Sequence, residues 1–263
     1  MEAANLGYSL AGLLVGMLVG ATGVGGGSLM TPILILLFNV KPSLAVGTDL
    51  LYACITKSFG VWLHRTKGTV NWRIVGLLAA GSLPACAGSL WLLHLLGEDG
   101  LKFALITKTL AVMIITTGLV TLFNNLLKKT AQHEEQPVVH WAHGRAREPL
   151  VVLMGIVVGA TVTLSSVGAG AIVATVLLML YPRLPTVSIV GTDLAYAIPL
   201  TLVAGLGHMG AGNVDFGLLG WMLLGSLPGI WLGTRFGFRV PDRVMRPFLG
   251  GTLVFIGIIL FNK

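Results

Sequence analysis

This chain has little charge. Lys, Arg, Asp and Glu make up only 10% of its 263 residues and apolar residues 55%, where a soluble domain carries about 25% charged residues. That composition excludes a soluble core with an anchor. Residues 1–263 read as one all-α membrane unit. Cysteine is scarce as well: Cys54 and Cys86 each fall in an apolar run, without metal or disulfide spacing, and read as free core residues. No Lys or Arg precedes the first apolar run, so the start of the chain does not read as a cleaved signal peptide. The net charge of +7 is not a nucleic-acid footprint, because no basic stripe interleaves with polar or aromatic residues. The positive residues sit in loops, where they orient a protein in a bilayer.

What the chain does have is a duplication. Gly47-Thr48-Asp49-Leu50-Leu51-Tyr52-Ala53 returns as Gly191-Thr192-Asp193-Leu194-Ala195-Tyr196-Ala197, an offset of 144 (Gly47 to Gly191). The same offset carries His64 to His208, Gly68 to Gly212, and Gly81-Ser82-Leu83-Pro84 to Gly225-Ser226-Leu227-Pro228. Repeat one covers 5–124, a cytoplasmic linker 125–148, and repeat two 149–263. Duplicated membrane halves with interrupted helices mark secondary transporters.

Each repeat holds five apolar segments: roughly 6–21, 28–38, 44–64, 74–96 and 101–123, then roughly 149–164, 168–181, 186–206, 216–236 and 244–261. The 11 residues from 28 to 38 would rise only about 16 Å as a helix, short of a ~30 Å hydrocarbon core. The first two segments of each repeat therefore read as a short hairpin with a glycine tip.

Charge sets the relation between the repeats. Arg65, Lys67 and Arg73 follow the third segment of repeat one, but Gly207–Asp215 holds no Lys or Arg. After the fourth segment the bias reverses: Glu98 and Asp99 with Lys102 in repeat one, and Arg235, Arg239, Arg243 and Arg246 in repeat two. Positive loops face the cytoplasm, so the repeats are expected to be inverted, with both termini outside. The linker, with Lys128, Lys129, Arg145 and Arg147, falls inside. Its His133, Glu134, Glu135, His140 and His143 read as a solvated connector rather than a metal site.

The hairpin tips are the candidate substrate site. Gly25, Gly26, Gly27 and Ser28 close the first; Ser165, Ser166, Gly168 and Gly170 lie at the second. Glycine allows close approach to the backbone. A helix that starts there presents unpaired N–H groups and a positive dipole end to an oxyanion. The Gly12 and Gly16 pair reads instead as helix packing. Asp49 and Asp193, with Thr48 and Thr192, are ionisable or hydroxylic groups near the starts of their segments. They are candidates for proton coupling or for shaping the site, or for capping a helix. Lys57 lies mid-span, where snorkelling is hard, and its counterpart is Thr201. It is expected to face the pathway and attract an anion. His64 and His208 read as interfacial residues, and Pro84 and Pro228 as kinks in the fourth segments.

Gly-Val-Gly-Gly-Gly at 23–27, Pro32, Pro42, Ala45-Val46-Gly47-Thr48, and His64 followed by Gly68-Thr69-Val70-Asn71-Trp72 resemble the TauE/SafE sulfite exporter family. The resemblance covers both repeats. It implies a permease that moves sulfite, sulfonates or related organosulfur anions across the cytoplasmic membrane of bacteria, in the export direction, without an enzymatic step or cofactor. An uptake carrier or channel for another small anion is an alternative. An intramembrane aspartyl protease, which also needs two Asp within spans, is a remote one. A flux that saturates and exchanges separates carrier from channel, and cleavage of a reporter span reveals a protease.

Overall fold

The structure is a computed structural model describing residues 2–22, 27–64, 70–96, 100–132, 147–182, 184–236 and 242–261. Among these residues there are ten helices and no strands. They are α1 (Glu2–Thr22), α2 (Gly27–Leu36), α3 (Pro42–His64), α4 (Trp72–Leu95), α5 (Gly100–Gln132), α6 (Arg147–Ser165), α7 (Ala171–Leu180), α8 (Thr186–Gly210), α9 (Phe216–Phe236) and α10 (Asp242–Phe261).

Five stretches among the described residues are long and apolar enough to cross a membrane: Trp72–Leu95, Gly100–Phe123, Arg147–Ser165, Val187–Gly210 and Phe216–Arg235. The third departs from expectation. The first segment of repeat two was read as too short, yet α6 has 19 residues, because it starts on Arg147 and Glu148. Polar residues supply the first helical turn before the apolar run begins. α1 lengthens likewise at Glu2, and α5 runs on to Gln132, into the segment read as linker. The second segments stay short. α2 and α7 have 10 residues each, or about 15 Å of rise.

The outside of the bundle is apolar. Leu6, Leu10 and Leu14 form an exposed stripe at i, i+4 and i+8 on α1, and Trp62, Trp72 and Trp91 are also exposed. A helix that puts its apolar stripe outward has lipid, not water, as its solvent. The interior divides into two apolar clusters, one around Met30 and Leu34 of α2 and one around Val173 and Leu177 of α7. The short helices are thus the most enclosed elements.

The limbs of each expected hairpin are held mainly by other helices. α1 lies along α9 and α6 along α4, while α2 packs on α3 and α7 on α5. Glycine makes the first two contacts close. A Cβ on Gly12, Gly16 or Gly20 would meet the carbonyls of Met222, Ser226 and Ile230; one on Gly225 would meet that of Ser9. The same pattern recurs with the repeats exchanged: Gly155 and Gly159 abut the carbonyls of Leu78 and Ser82, and Gly81 abuts that of Val152. Small residues that let backbones touch are the usual cement between membrane helices. They account for the duplicated Gly-Ser-Leu-Pro motif, in which Pro84 and Pro228 lie inside unbroken helices.

α3 and α8, which are equivalent in the two repeats, run antiparallel where they pack. Gly47 lies against His208 and the Asn213 carbonyl, and Gly205 lies against Leu51. α5 and α10, also equivalent, are antiparallel too: Gly118 faces Gly250 and Val254, and Gly257 faces Ala111 and Ile115. Continuing the first register brings residues 55–56 opposite 199–200, where each helix faces its own counterpart.

Candidate functional site

Lys57 lies within a turn of that crossing point. It is buried, and its Nζ donates to the Ala169 carbonyl at 2.8 Å. Ala169 belongs to the break between α6 and α7, so the ammonium reaches from repeat one into the interrupted region of repeat two. Both Asp49 and Asp193 are within its electrostatic range.

Each Asp is the eighth residue of its helix, since α3 begins at Pro42 and α8 at Thr186. The capping alternative is therefore corrected: both carboxylates lie beyond the first turn, in fully helical chain. Because α3 and α8 are antiparallel, the two Asp stand on opposite sides of the crossing point, with Lys57 between. Asp49 is completely buried; its Oδ2 accepts from the Thr31 hydroxyl of α2, and its Oδ1 has no partner. Asp193 is buried with Oδ1 likewise unpartnered. The charged neighbour of each carboxylate is Lys57, not the other carboxylate. A protease dyad sharing one proton needs the reverse arrangement.

The second tip is built as a turn. Ser166 has φ 58° and Gly168 φ 113°. The left-handed region favours glycine at 168, and a Cβ there would stand 2.7 Å from Met113 Cε. Gly170 N–H bonds the Gly168 carbonyl at 2.9 Å, and α7 begins with Ala174 N–H on the Gly170 carbonyl at 2.8 Å. The N–H groups of the first turn of α7 thus have no helical partner. The two serines differ. Ser165 turns its hydroxyl to the backbone of Thr161 and Val167. Ser166 is buried with an unpartnered hydroxyl close to Asp49. At the first tip, Gly25 and Gly26 lie outside the described residues. Gly27 and Ser28 open α2; the Ser28 side chain is outside the described set.

Thr48 and Thr192 serve the opposite repeat. Thr48 Oγ1 accepts the Asp215 N–H at 3.0 Å, and Thr192 Oγ1 accepts the Asn71 N–H at 2.9 Å. Asn71 and Asp215 are themselves equivalent, and each caps the next helix, bonding Ile74 N–H at 3.3 Å and Leu218 N–H at 2.9 Å.

Sequence reasoning gave no role to Thr31, Tyr52, Tyr196, Ser82 or Ser226. Thr31 holds Asp49, and its equivalent Thr175 is buried and engaged too. Tyr52 lies beside Ser226 and Tyr196 beside Ser82, another exchanged pair. The signal was present in the 144 offset, which aligns Thr31 with Thr175, Tyr52 with Tyr196 and Ser82 with Ser226. His208 is not interfacial in the sense expected: it is buried, with Nε2 on the Thr163 carbonyl at 2.9 Å. Cys54 and Cys86 are free and buried. Among the described residues no three His, Cys, Asp or Glu side chains form a metal-sized cluster; the linker histidines lie outside them.

A helical bundle with an apolar outer surface, five stretches long enough to cross a membrane, and Lys57, Asp49 and Asp193 buried inside it defines a polytopic membrane protein. The sequence profile of the family described as "Sulfite exporter TauE/SafE" matches residues 8–260, and the chain belongs to that family of membrane transporters. The "Probable membrane transporter protein YjnA" of Bacillus subtilis (strain 168) is 36% identical over 259 residues, covering 95% of this chain and 97% of its own. A second Bacillus subtilis protein, "Probable membrane transporter protein YdhB", is 26% identical over 94% of this chain and 96% of its own. A similarly named protein of Methanocaldococcus jannaschii is 24% identical over 95% of this chain and 93% of its own. No solved structure matches the chain.

Proposed function

We propose that the protein is a secondary transporter that exports a small sulfur oxyanion, sulfite or a sulfonate, across the cytoplasmic membrane by alternating access between two inverted repeats. The family supports the substrate class. The antiparallel course of α3 against α8 and of α5 against α10 supports the inversion, with the swapped loop charges setting its direction. Binding an oxyanion near mid-membrane requires fixed donors and a positive charge, because the anion loses its hydration there.

The observation that carries this reading is the placement of Lys57. It sits where the repeats cross, buried, between one carboxylate from each repeat, beside the free N–H groups that open α7. The anion binds Lys57 between the two tips, with Gly25, Gly26, Gly27, Ser28, Ser166, Gly168 and Gly170 lining it. Asp49 and Asp193 face the two entrances, and the ammonium exchanges between them as the halves rock. An arriving anion neutralises the Lys57 ammonium that supports both buried carboxylates, and a carboxylate left without that support takes up a proton. That exchange couples anion to proton movement.

Flux of labelled sulfite, a taurine-like sulfonate and sulfate in proteoliposomes, with and without a pH gradient, tests this. Saturable, exchanging flux of the sulfur anions that responds to the gradient is expected. Linear flux, or none with any of them, overturns it. Gly26→Val, which fills the first tip, is expected to abolish flux while the protein still inserts.

A further inference from the structure

A second polar feature stands apart from the central site. A cavity of about 480 Å³ opens between the ends of α4 and α8 and the first turn of α5, lined in part by His94, Lys102, His208 and Asn213. At roughly 30 Å³ per water, it holds an anion with much of its hydration shell. None of the described residues lining it is acidic; Glu98 and Asp99, between α4 and α5, lie outside the described residues.

Two observations point to a ligand. His208 is buried and its Nε2 faces the Thr163 carbonyl, so that nitrogen carries the proton; its Nδ1 has no partner. With the proton on Nε2, Nδ1 is an acceptor, and a buried acceptor left unpaired is costly; a water in the hydration shell of an anion in the cavity can donate to it. Lys102 is the second. It stands in the first turn of α5, against the positive end of that helix dipole, where a cation is disfavoured, and it is near enough to His208 to act on its charge. His94, by contrast, is in the last turn of α4, where a cation suits the dipole. The His208 Cβ packs against Gly47, which precedes Thr48 and Asp49 in α3.

We infer that this cavity is a second anion site, a vestibule in which Lys102, His208 and Asn213 collect a hydrated oxyanion at one mouth of the transporter. The Lys102 charge raises the local anion concentration. In the sequence the equivalents of His208 and Lys102 are His64 and Arg246, which retain the imidazole and the cation. The site is independent of Lys57, and the test below needs no transport.

Gly210 lines the cavity, and a Cβ there meets nothing. In a background with Cys54 and Cys86 replaced, Gly210→Cys is modified with an anionic and a cationic methanethiosulfonate, and the ratio of rates is compared with that of a free thiol in solution. The ratio is expected to favour the anionic reagent at least fivefold over the free thiol. Lys102→Met is expected to return it to the free-thiol value, and His208→Gln, which keeps a donor for Thr163, to lower it about twofold. Millimolar sulfate should slow the anionic reagent and leave the cationic one unchanged. A free-thiol ratio at Gly210→Cys, a preference for the cationic reagent, or a ratio indifferent to Lys102→Met overturns the proposal. Lys57→Met is expected to leave all these rates unchanged, which separates failure here from failure of the central site.

Discussion

Thr48 on α3 accepts a hydrogen bond from the backbone N–H of Asp215 at 3.0 Å, joining the third helix of one repeat to the fourth of the other. Thr192 and Asn71 make the mirror contact at 2.9 Å. Both threonines are fully buried, while the donors sit on exposed Asp215 and half-buried Asn71, so losing the oxygen removes a link between repeats that water replaces only in part. Thr48→Val and Thr192→Val keep shape and delete the acceptor. Each is expected to cost about 0.5–1.5 kcal/mol, seen as a lower unfolding temperature of the purified protein. Ser at either position is expected to restore most of it. An undiminished unfolding temperature for both Val variants would mean the threonines matter to transport alone.

The glycine contacts lend themselves to a paired comparison. Gly16 and Gly159 touch the carbonyls of Ser226 and Ser82, while Gly76 and Gly88 have open space where a side chain would go. Alanine normally improves a helix over glycine by roughly 0.5–1 kcal/mol. Gly76→Ala and Gly88→Ala should therefore raise the unfolding temperature slightly. Gly16→Ala and Gly159→Ala should lower it, since forcing backbones apart costs typically about 1–3 kcal/mol.

Inversion has a sidedness test. In a cysteine-free background, Thr66→Cys and Gly210→Cys should be labelled by an impermeant reagent from opposite sides of the membrane. Thr66 lies outside the described residues, so this prediction rests on the loop charges and on the antiparallel equivalents. Arg73, next to that loop, pairs with Glu148 at the start of α6. Both are exposed, so the pair adds little stability, but it puts those two helix starts at one end of the bundle. Labelling of both cysteines from one side would defeat the inversion.

These tests also mark what could be read from the residues. The ten segments were legible because each long apolar run must become a helix in lipid. The duplicated Gly-Thr-Asp, Gly-Ser-Leu-Pro and His motifs announced two equivalent halves. What stayed hidden was which element meets which. Thr31 and Asp49 are far apart in sequence, and nothing local tells a hydroxyl that its partner is a carboxylate on another helix. Ser165 and Ser166 look alike as letters. Only the turn, with φ 58° at Ser166, sends one hydroxyl to local backbone and the other towards Asp49. The α6 boundary was misplaced because composition sees the apolar run and not the polar turn that precedes it.

The sharpest prediction concerns Lys57. Asp49 precedes it by eight residues, about 12 Å along the helix axis, so the two share a face without a direct pair within α3. Its observed partner is a neutral carbonyl, that of Ala169, at 2.8 Å. An ammonium bonded to a carbonyl is available to an anion in a way that one locked to a carboxylate is not. Lys57→Met retains much of the side-chain length and removes the charge. It should weaken the apparent affinity for sulfite at least tenfold, with little loss of folded protein. Asp49→Asn and Asp193→Asn should leave more anion binding than Lys57→Met and instead blunt the response of flux to a pH gradient. The readouts are the concentration dependence of flux and its change on imposing the gradient. Unchanged concentration dependence in Lys57→Met would make Lys57 a structural tie to Ala169 and leave anion binding to the glycine tips.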